Sequence, residues 1–487
     1  MGKGSKKILF LVAFSTTLVY FTAGTFIGWV SPVTPYLSSA TTMLPLTNDE
    51  ISWIVSLMHV GHVLLAIPAG YMVDWVGRKW TLLFSATPFL MSWLLTALAE
   101  DSALEQDGDE QWYVRVDLLY FARLTAGLAV GVSSTIASIY LGEIAEDSVR
   151  GAIGTLFQVM INLGIMFEYS TAPYVSYGTL TMLSALIPLI FLMTFMFVPE
   201  SPYYLLMHGR RKEAQKVLLT LRGLEDPDSV QMELNMMEVT VGCCRMNKGA
   251  FLDLFTSRCN LRALMICVGL FSITVCSGHV VILSYSTEMF KESRSSLDPS
   301  ISVIILGGVQ TLLSIIPSVL VDTAGRKPLL VVSSVGCAAA LVVEGTYFYL
   351  LNNGVTGLDI LPLLALIFFI MFFNLGLGSV PVAIMTEIFP TNVRGVASSF
   401  LSIYLAIMNF LITKVVLIAE VEYYVVFWTF SAYCLGGMLF IIYFVPETKG
   451  KSLLEINLEM KCLADDLKET RYLLERRSYS PSRKPEY

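Results

Sequence analysis

The stretch GYMVDWVGRK at residues 70–79 decides the fold, because a second version of it, SVLVDTAGRK, occurs at residues 318–327. Each version lies between two long apolar stretches. Two other phrases also return, so three charged positions repeat in order at offsets of 248, 244 and 247 residues: Asp74 and Asp322, Glu143 and Glu387, Glu200 and Glu447. The chain therefore consists of two copies of one unit, which is typical of membrane transporters whose two halves enclose a central site.

The composition is that of a membrane protein, since 55% of the residues are hydrophobic and only 15% are charged, against about 25% charged in soluble domains. A helix needs about 20 apolar residues to cross a bilayer. Twelve stretches are of about this length, and we number them spans one to twelve: 8–30, 52–73, 79–98, 118–140, 152–170, 179–198, 262–285, 300–321, 328–350, 360–386, 396–418 and 424–445. Because lipid cannot satisfy exposed backbone groups, each span should be a helix. The sequence predicts an all-α membrane protein with two pseudo-symmetric six-helix halves.

The Lys and Arg residues predict how these helices are oriented. If both termini are cytosolic, 27 of the 32 basic residues fall in inner segments, and five remain in the outer part: Arg115, Arg123, Lys291, Arg294 and Lys414. The opposite orientation would violate the positive-inside rule. We therefore expect both termini in the cytosol.

The chain divides into four segments. Residues 1–199 and 262–446 are the two six-helix halves. Residues 200–261 form a polar cytosolic linker, in which the spacing of Leu and Val predicts short amphipathic helices. Residues 447–487 form a cytosolic tail that ends in SYSPSRKPEY, a Ser- and Pro-rich composition typical of disorder.

Several classes of function are excluded by what the sequence lacks. None of the eight cysteines lies in a predicted outer loop, and no pair has metal-ligand spacing with a histidine nearby. No nucleophile–base set, phosphate-binding loop or nucleic-acid motif is evident. We therefore expect a protein that is not an enzyme, uses no metal or cofactor, binds no nucleic acid and works as a monomer in the lipid bilayer.

The repeated phrases resemble those of a known family. The paired D-x-x-GRK phrases, PESP after span six and PETKG after span twelve resemble the sugar porter branch of the major facilitator superfamily, over residues 8–456. The segments GTFIGWVSPVTPYL (24–37) and PESPYYLL (199–206) resemble the insect facilitated trehalose and hexose transporters. The resemblance implies facilitative transport of trehalose or a hexose across the plasma membrane by alternating access. A transporter-like nutrient receptor and a proton-coupled sugar or polyol symporter are the alternatives.

The resemblance also implies a role for the charged phrases. In that family such groups form ion pairs between the halves and close the inner side. Ten residues of this chain match: Asp74, Arg78, Glu143, Arg150, Glu200, Asp322, Arg326, Glu387, Arg394 and Glu447. A network that exists in one of two arrangements can act as a gate. The same residues can also serve as topology determinants at loop ends, so both interpretations stay open here.

The substrate site should lie near the middle of the membrane between the halves. Polar side chains inside spans are the candidates, because they are costly in lipid and usually face the interior. The resemblance of RGAIGTLFQVMINLG in span five places Gln158 at the family's sugar-contacting position. Four further candidates follow from span eight, span ten, span eleven and span seven: Gln310, Asn374, Asn409 and Thr274. Each can instead be a hydrogen-bonding residue of helix packing.

Some of the family's sugar-binding residues are replaced in this chain. Span seven has Thr274 and Val275 where the family has two glutamines, and Val280 where it has an asparagine. Span ten has Val382 in place of the family's stacking tryptophan. These departures leave the fold inference intact and weaken the inference of a glucose-like substrate.

The energetics of transport are predicted from the first span. Proton-coupled relatives carry an acidic residue there, and this chain has Phe26 at that position and no Asp or Glu between residues 8 and 30. We therefore expect facilitative transport. His59 and His62, one helical turn apart in span two, are an alternative proton relay, although packing or interfacial placement is the commoner role.

Four charged residues within the spans need an explanation: Arg123, Glu168, Glu344 and Lys414. They fall toward the predicted outer ends of their spans, so we expect snorkelling or mutual pairing. Span ten contains Gly376, Gly378 and Pro381. Because Gly and Pro allow a membrane helix to bend, we expect this span to flex as an outer gate.

Overall fold

The computed structural model describes residues 7–38, 46–102, 112–146, 150–246, 253–295, 297–316, 320, 324–355, 357–418, 421–451 and 455–456. Helices cover the six predicted spans of the first half: Lys7–Gly28 with Val30–Leu37, Asn48–Val76, Arg78–Leu98, Val116–Ile144, Arg150–Thr171 and Tyr177–Phe195. Helices also cover the six spans of the second half: Arg258–Cys276 with His279–Glu292, Pro299–Leu313, Arg326–Asn352, Leu361–Leu375 with Val380–Ile388, Thr391–Ile418 and Tyr423–Phe444. The predicted helical membrane fold is confirmed.

Within the described residues, ten helices or helix pairs are long and apolar enough to cross a membrane. The remaining two are spans five and eight. Span five carries Gln158, Asn162 and Glu168 in its interior, and the helix Pro299–Leu313 of span eight has 15 residues. Span five packs against span eight, so these two spans meet between the halves.

The segments outside the spans are also structured. Two short antiparallel strands, Glu100–Ser102 and Trp112–Val114, pair in the loop between spans three and four. The linker contains the helices Pro202–Met207, Arg211–Arg222, Gln231–Met246 and Asp253–Thr256 and a 3-10 turn at Pro227–Val230, and another 3-10 turn, Ala172–Tyr174, lies between spans five and six. The Arg222 guanidinium anchors this linker, because it donates to the carbonyl oxygen of Ile144 at the end of span four (3.0 Å) and pairs with Glu233 (2.6 Å).

Spans seven and ten are each interrupted. Span seven breaks at Ser277 and Gly278, where Gly278 has φ +82°, a conformation that L side chains rarely adopt. Span ten breaks between Leu375 and Val380. The hydroxyl of Thr274 donates to the carbonyl oxygen of Leu377 at 3.1 Å, so one break supplies a partner for a backbone group freed by the other. The helix of span ten is thus interrupted at its glycines, and the flexing of this span as an outer gate stays a prediction.

Candidate substrate site and gates

Three side-chain amides meet in the interior of the bundle, and they join the two halves. Gln158 and Asn162 lie four residues apart in span five, so they share one helix face. The Nε2 of Gln158 donates to the Oδ1 of Asn162 at 3.3 Å. The Nε2 of Gln310, from span eight, donates to the same oxygen at 3.2 Å. The sequence-predicted residues Gln158 and Gln310 are thus brought together through Asn162.

The amide cluster is sealed in this conformation. Asn162 is 1% exposed and Gln310 is 2% exposed, whereas Gln158 is half-buried. Within the described part of the chain, the Nδ2 of Asn162 and the Oε1 of Gln310 have no hydrogen-bond partner. An unsatisfied buried polar group costs about 1–3 kcal/mol. The cluster therefore holds one donor and one acceptor that a polar ligand can satisfy.

Asn162 lies within the quoted span-five motif but is not among the predicted site residues. The signal was its spacing of four residues from Gln158, which puts both amides on one face of a helix. Polar residues considered one at a time do not reveal this pair.

Two of the other predicted site residues, Asn374 and Thr274, bond within their own half. The Nδ2 of Asn374 donates to the carbonyl oxygen of Ile370 one turn earlier, at 3.0 Å. Thr274 bonds to Leu270 and to the break in span ten. The Oδ1 of Asn409 is buried and has no partner among the residues that the structure describes. Their role in binding stays a prediction.

His279 has a structural contact at the break in span seven. Its imidazole stacks on the ring of Phe373 with centroids 3.9 Å apart and planes 8° apart. Phe373 belongs to span ten, just before that span breaks. The two interrupted spans are therefore tied together by a ring stack as well as by the hydroxyl of Thr274.

The charged phrase of the first half forms a compact cluster. Arg78 pairs with Glu143 (Nη2 to Oε1, 2.8 Å), and the hydroxyl of Ser201 donates to the same carboxylate. Glu200 accepts the backbone N–H of Arg78 at 3.1 Å and of Lys79 at 3.2 Å. A carboxylate at a helix N-terminus complements the helix dipole there. Gly77, with φ +101°, makes the turn between spans two and three, and a Cβ at this glycine would lie 2.5 Å from the Glu200 carboxylate.

The second half repeats this cluster. Arg326 pairs with Glu387 (Nη2 to Oε1, 2.8 Å), Glu447 accepts the backbone N–H of Arg326 and of Lys327 at 3.0 Å each, and Gly325 has φ +93°. Burial acts to raise the pKa of Glu447, but the backbone N–H groups that it accepts hold the pKa below its ordinary value. The turn thus requires the glycine of D-x-x-GRK, and the ion pair with glutamate requires its arginine.

These pairs correct one expectation. Arg78 and Glu143 both belong to the first half, and Arg326 and Glu387 both belong to the second. The expectation that these groups pair between the halves is therefore wrong for these two pairs. Arg394 donates to the carbonyl oxygen of Phe389 in its own half at 3.2 Å. Of the remaining predicted gating residues, Asp74 is exposed at the end of span two, and Asp322 and the side chain of Arg150 lie outside the described residues.

The halves are joined at the end of the bundle away from the charged phrases. Lys414 of span eleven pairs with Asp49 at 2.8 Å and donates to the Oγ of Ser52 at 2.8 Å. Its ammonium also lies 3.9 Å from the ring centroid of Trp53. At the same end, the hydroxyls of Ser31, in the helix Val30–Leu37, and Ser286, in the helix His279–Glu292, are 2.9 Å apart. This end of the bundle is closed between the halves.

Three of the four charged residues within the spans are buried in the bundle and do not snorkel. Arg123 is 3% exposed and donates to the carbonyl oxygens of Ile54 (3.0 Å) and Phe26 (2.8 Å). Glu168 is fully buried and accepts from Ser184 at 2.6 Å, and Glu344 is 1% exposed. Snorkelling is therefore wrong for all three, because they lie inside the bundle. Lys414 does pair, and its partner is in the other half.

A large cavity lies elsewhere. It measures about 680 Å³, runs between spans seven and twelve, and is lined mainly by small and aromatic residues: Gly269, Ile273, Cys276, Trp428, Gly436 and Phe440 among them. It lies within the second half rather than between the halves, and its lining is mostly apolar. A polyhydroxylated substrate needs several polar partners, so we place the candidate site at the amide cluster and not in this cavity.

Comparisons with known proteins give the family. Residues 10–460 match the family model described as sugar (and other) transporter. The chain is 32% identical over 457 residues to the facilitated trehalose transporter Tret1 of Bombyx mori, covering 92% of this chain and 86% of the relative. It is 31% identical over 455 residues to Tret1 of Culex quinquefasciatus, covering 92% and 85%.

Solved structures share the fold. The inward-open xylose transporter XylE from E. coli superposes with a TM-score of 0.76 at 22% identity, covering 92% of this chain and 99% of that one. The proton:xylose symporter XylE bound to 6-bromo-6-deoxy-D-glucose gives a TM-score of 0.73 at 23% identity, covering 93% and 99%. The predicted resemblance is confirmed, and this chain is a multi-pass membrane protein that belongs to the sugar (and other) transporter family.

Proposed function

We propose that this protein carries trehalose or a hexose across the plasma membrane by facilitated alternating access, as a monomer and without a catalytic reaction. The observation that carries this proposal is the amide cluster of Gln158, Asn162 and Gln310, which lies between the halves and holds a buried donor and acceptor. Sugar hydroxyls are both donors and acceptors. Relatives that share 31–32% of their residues with this chain are named facilitated trehalose transporters.

Facilitated rather than proton-coupled transport is supported by the surroundings of Phe26. Its ring stacks on Trp93, with centroids 4.3 Å apart, and on Phe89 at 5.4 Å. Its carbonyl oxygen accepts from Arg123. The position where proton-coupled relatives carry an acid is thus filled by an aromatic cluster, and the nearby cation is satisfied by backbone oxygens.

Alternating access is supported by the distribution of contacts. The halves meet through Lys414 and Asp49 and through Ser31 and Ser286 at one end, while the two charged clusters at the other end pair within their own halves. The positive-inside rule assigns the charged end to the cytosol. On that assignment, the conformation is closed on the outer side, and the two charged clusters lie on the inner side.

A proton-coupled symporter is the second candidate, because Glu168 and Glu344 are carboxyl groups buried within the bundle. A carboxyl group buried in a membrane protein is a common element of proton pathways. A receptor with little transport is the third.

One experiment separates the three. Purified protein in liposomes is tested for uptake of labelled trehalose, glucose, xylose and a polyol, with and without an inward proton gradient. Facilitated transport predicts that internal substrate rises to the external concentration and stops there. Accumulation above that concentration, abolished by a protonophore, supports the symporter, and binding without uptake supports the receptor.

A further inference from the structure

We infer that Asn162 is a positioning residue of the substrate site, which fixes the amides of Gln158 and Gln310 so that their carbonyl oxygens accept hydrogen bonds from substrate hydroxyls. The inference rests on the proposed function. It adds one residue to the proposed site and states how the glutamine amides are oriented there.

The geometry assigns the direction of both glutamine amides. A single atom, the Oδ1 of Asn162, accepts from the Nε2 of Gln158 at 3.3 Å and from the Nε2 of Gln310 at 3.2 Å. A carbonyl oxygen has two lone pairs and no donor, so it can hold only the N–H side of each glutamine. Each glutamine therefore turns its Oε1 away from Asn162.

The unpaired atoms of the cluster indicate the chemistry of the ligand. Among the described residues, the Oε1 of Gln310 and the Nδ2 of Asn162 are both buried and without a partner. A hydroxyl group can donate to the Oε1 of Gln310, because it has an O–H. The unpaired oxygen therefore favours a ligand with donor groups, such as an alcohol.

The chain provides a matched control outside the site. Gln231 and Asn235, four residues apart in a linker helix, form the same bond from Nε2 to Oδ1 at 3.4 Å on the surface. Asn235 has the same helical spacing and the same type of hydrogen bond as Asn162. Within the described residues it has no hydrogen bond with the second half.

The test measures uptake of labelled glucose and trehalose into liposomes by wild type, Asn162→Leu, Asn162→Asp and Asn235→Leu, with monodeoxy glucoses as competitors. Leucine removes the acceptor oxygen. We expect KM to rise about ten-fold, which corresponds to the free energy of about one hydrogen bond. The maximal rate should stay close to that of wild type. Aspartate keeps an acceptor oxygen and should raise KM less. Asn235→Leu should leave KM unchanged.

A double-mutant cycle distinguishes positioning from a purely structural role. In a Gln158→Ala/Gln310→Ala background, Asn162→Leu should add no further rise in KM, because residues that act as one unit are not additive. At least one monodeoxy glucose should compete less well than glucose against wild type and equally well against Asn162→Leu.

Several results would overturn the inference. They are a full additional rise in the double background, an equal effect of Asn162→Asp and Asn162→Leu, or unchanged discrimination among the deoxy sugars. If Asn162→Leu does not fold, the comparison of Asn162→Asp with Asn162→Ser tests the same point. Sugar uptake by wild type with an additive cycle rejects Asn162 alone, whereas no uptake of any sugar by wild type rejects the proposed function with it.

Discussion

The two halves of the molecule are nearly identical at their charged ends and different in their spans. At the charged end, the ion pairs Arg78–Glu143 and Arg326–Glu387 have the same length, 2.8 Å. In each half a carboxylate, Glu200 or Glu447, accepts the first backbone N–H groups of the following helix. This end is the part of the repeated unit that has the same geometry twice.

The spans that correspond under the repeat are held together differently. In the first half, Arg123 of span four donates to the carbonyl oxygens of Phe26 and Ile54, so three helices share one buried cation. In the second half, the hydroxyl of Thr274 makes the link between spans seven and ten, and both of those spans are interrupted. The link between corresponding spans is thus a buried cation in the first half and a neutral hydroxyl in the second.

The largest expected effect comes from removing each of these two links in turn. Arg123→Met removes two buried hydrogen bonds from a charged donor, and should lower the free energy of unfolding by about 2–5 kcal/mol. Thr274→Val removes one weaker bond and should cost about 1 kcal/mol. Thermal unfolding in detergent measures both, with Arg115→Met as a control, since the Arg115 side chain is 47% exposed. Equal losses for Arg123→Met and Thr274→Val would remove the difference between the halves.

A smaller effect tests what the halves share. Because Arg78 and Arg326 make equivalent, partly buried pairs, Arg78→Ala and Arg326→Ala should each lower the free energy of unfolding by about 1–3 kcal/mol, and by similar amounts. The side chains are 6% and 12% exposed, so the Arg78 variant should be slightly the more affected. The control is Arg210→Ala, whose pair with Glu213 is half exposed. A loss in only one half would show that the repeated geometry hides different roles.

The smallest effect concerns the seam between the halves. Lys414→Met removes the ion pair to Asp49, whose side chain is 62% exposed, so the change should be about 1 kcal/mol, or about five-fold in the open-to-closed ratio. The measured quantity is labelling of Ser31→Cys by an impermeant maleimide from outside. The rate should rise in Lys414→Met and not in Lys291→Met, a change at an exposed lysine. No difference between the two would mean that the pair does not hold the outer side closed.

The sequence predicted the fold well for identifiable reasons. Twelve apolar stretches can only be helices in lipid, and each of them coincides with a helix. The D-x-x-GRK repeat located both charged clusters, because its glycine and arginine are required by a turn and a pair. The hydrophobic pattern of a sequence does not show which residues contact each other in the folded chain. For this reason the ion pairs within the halves and the burial of Arg123 were not predicted.

The candidate site was predicted in part. Gln158 and Gln310 were identified one at a time from motif positions, and the structure joins them. Asn162 was missed because its role depends on a contact between spans five and eight. The two residues in contact, Asn162 and Gln310, are 148 residues apart in the sequence. A single sequence contains the helical spacing within span five but not the meeting of the two halves.

The central claim is that a sugar passes between the halves at the amide cluster. Its most direct test is equilibrium uptake of labelled trehalose and glucose into liposomes by wild type and Gln158→Ala, with Gln231→Ala as the surface control and insertion checked for each. The account predicts that wild type and Gln231→Ala bring internal sugar to the external concentration, while Gln158→Ala, normally inserted, loses most of the initial rate. An initial rate in Gln158→Ala equal to that of wild type would contradict it.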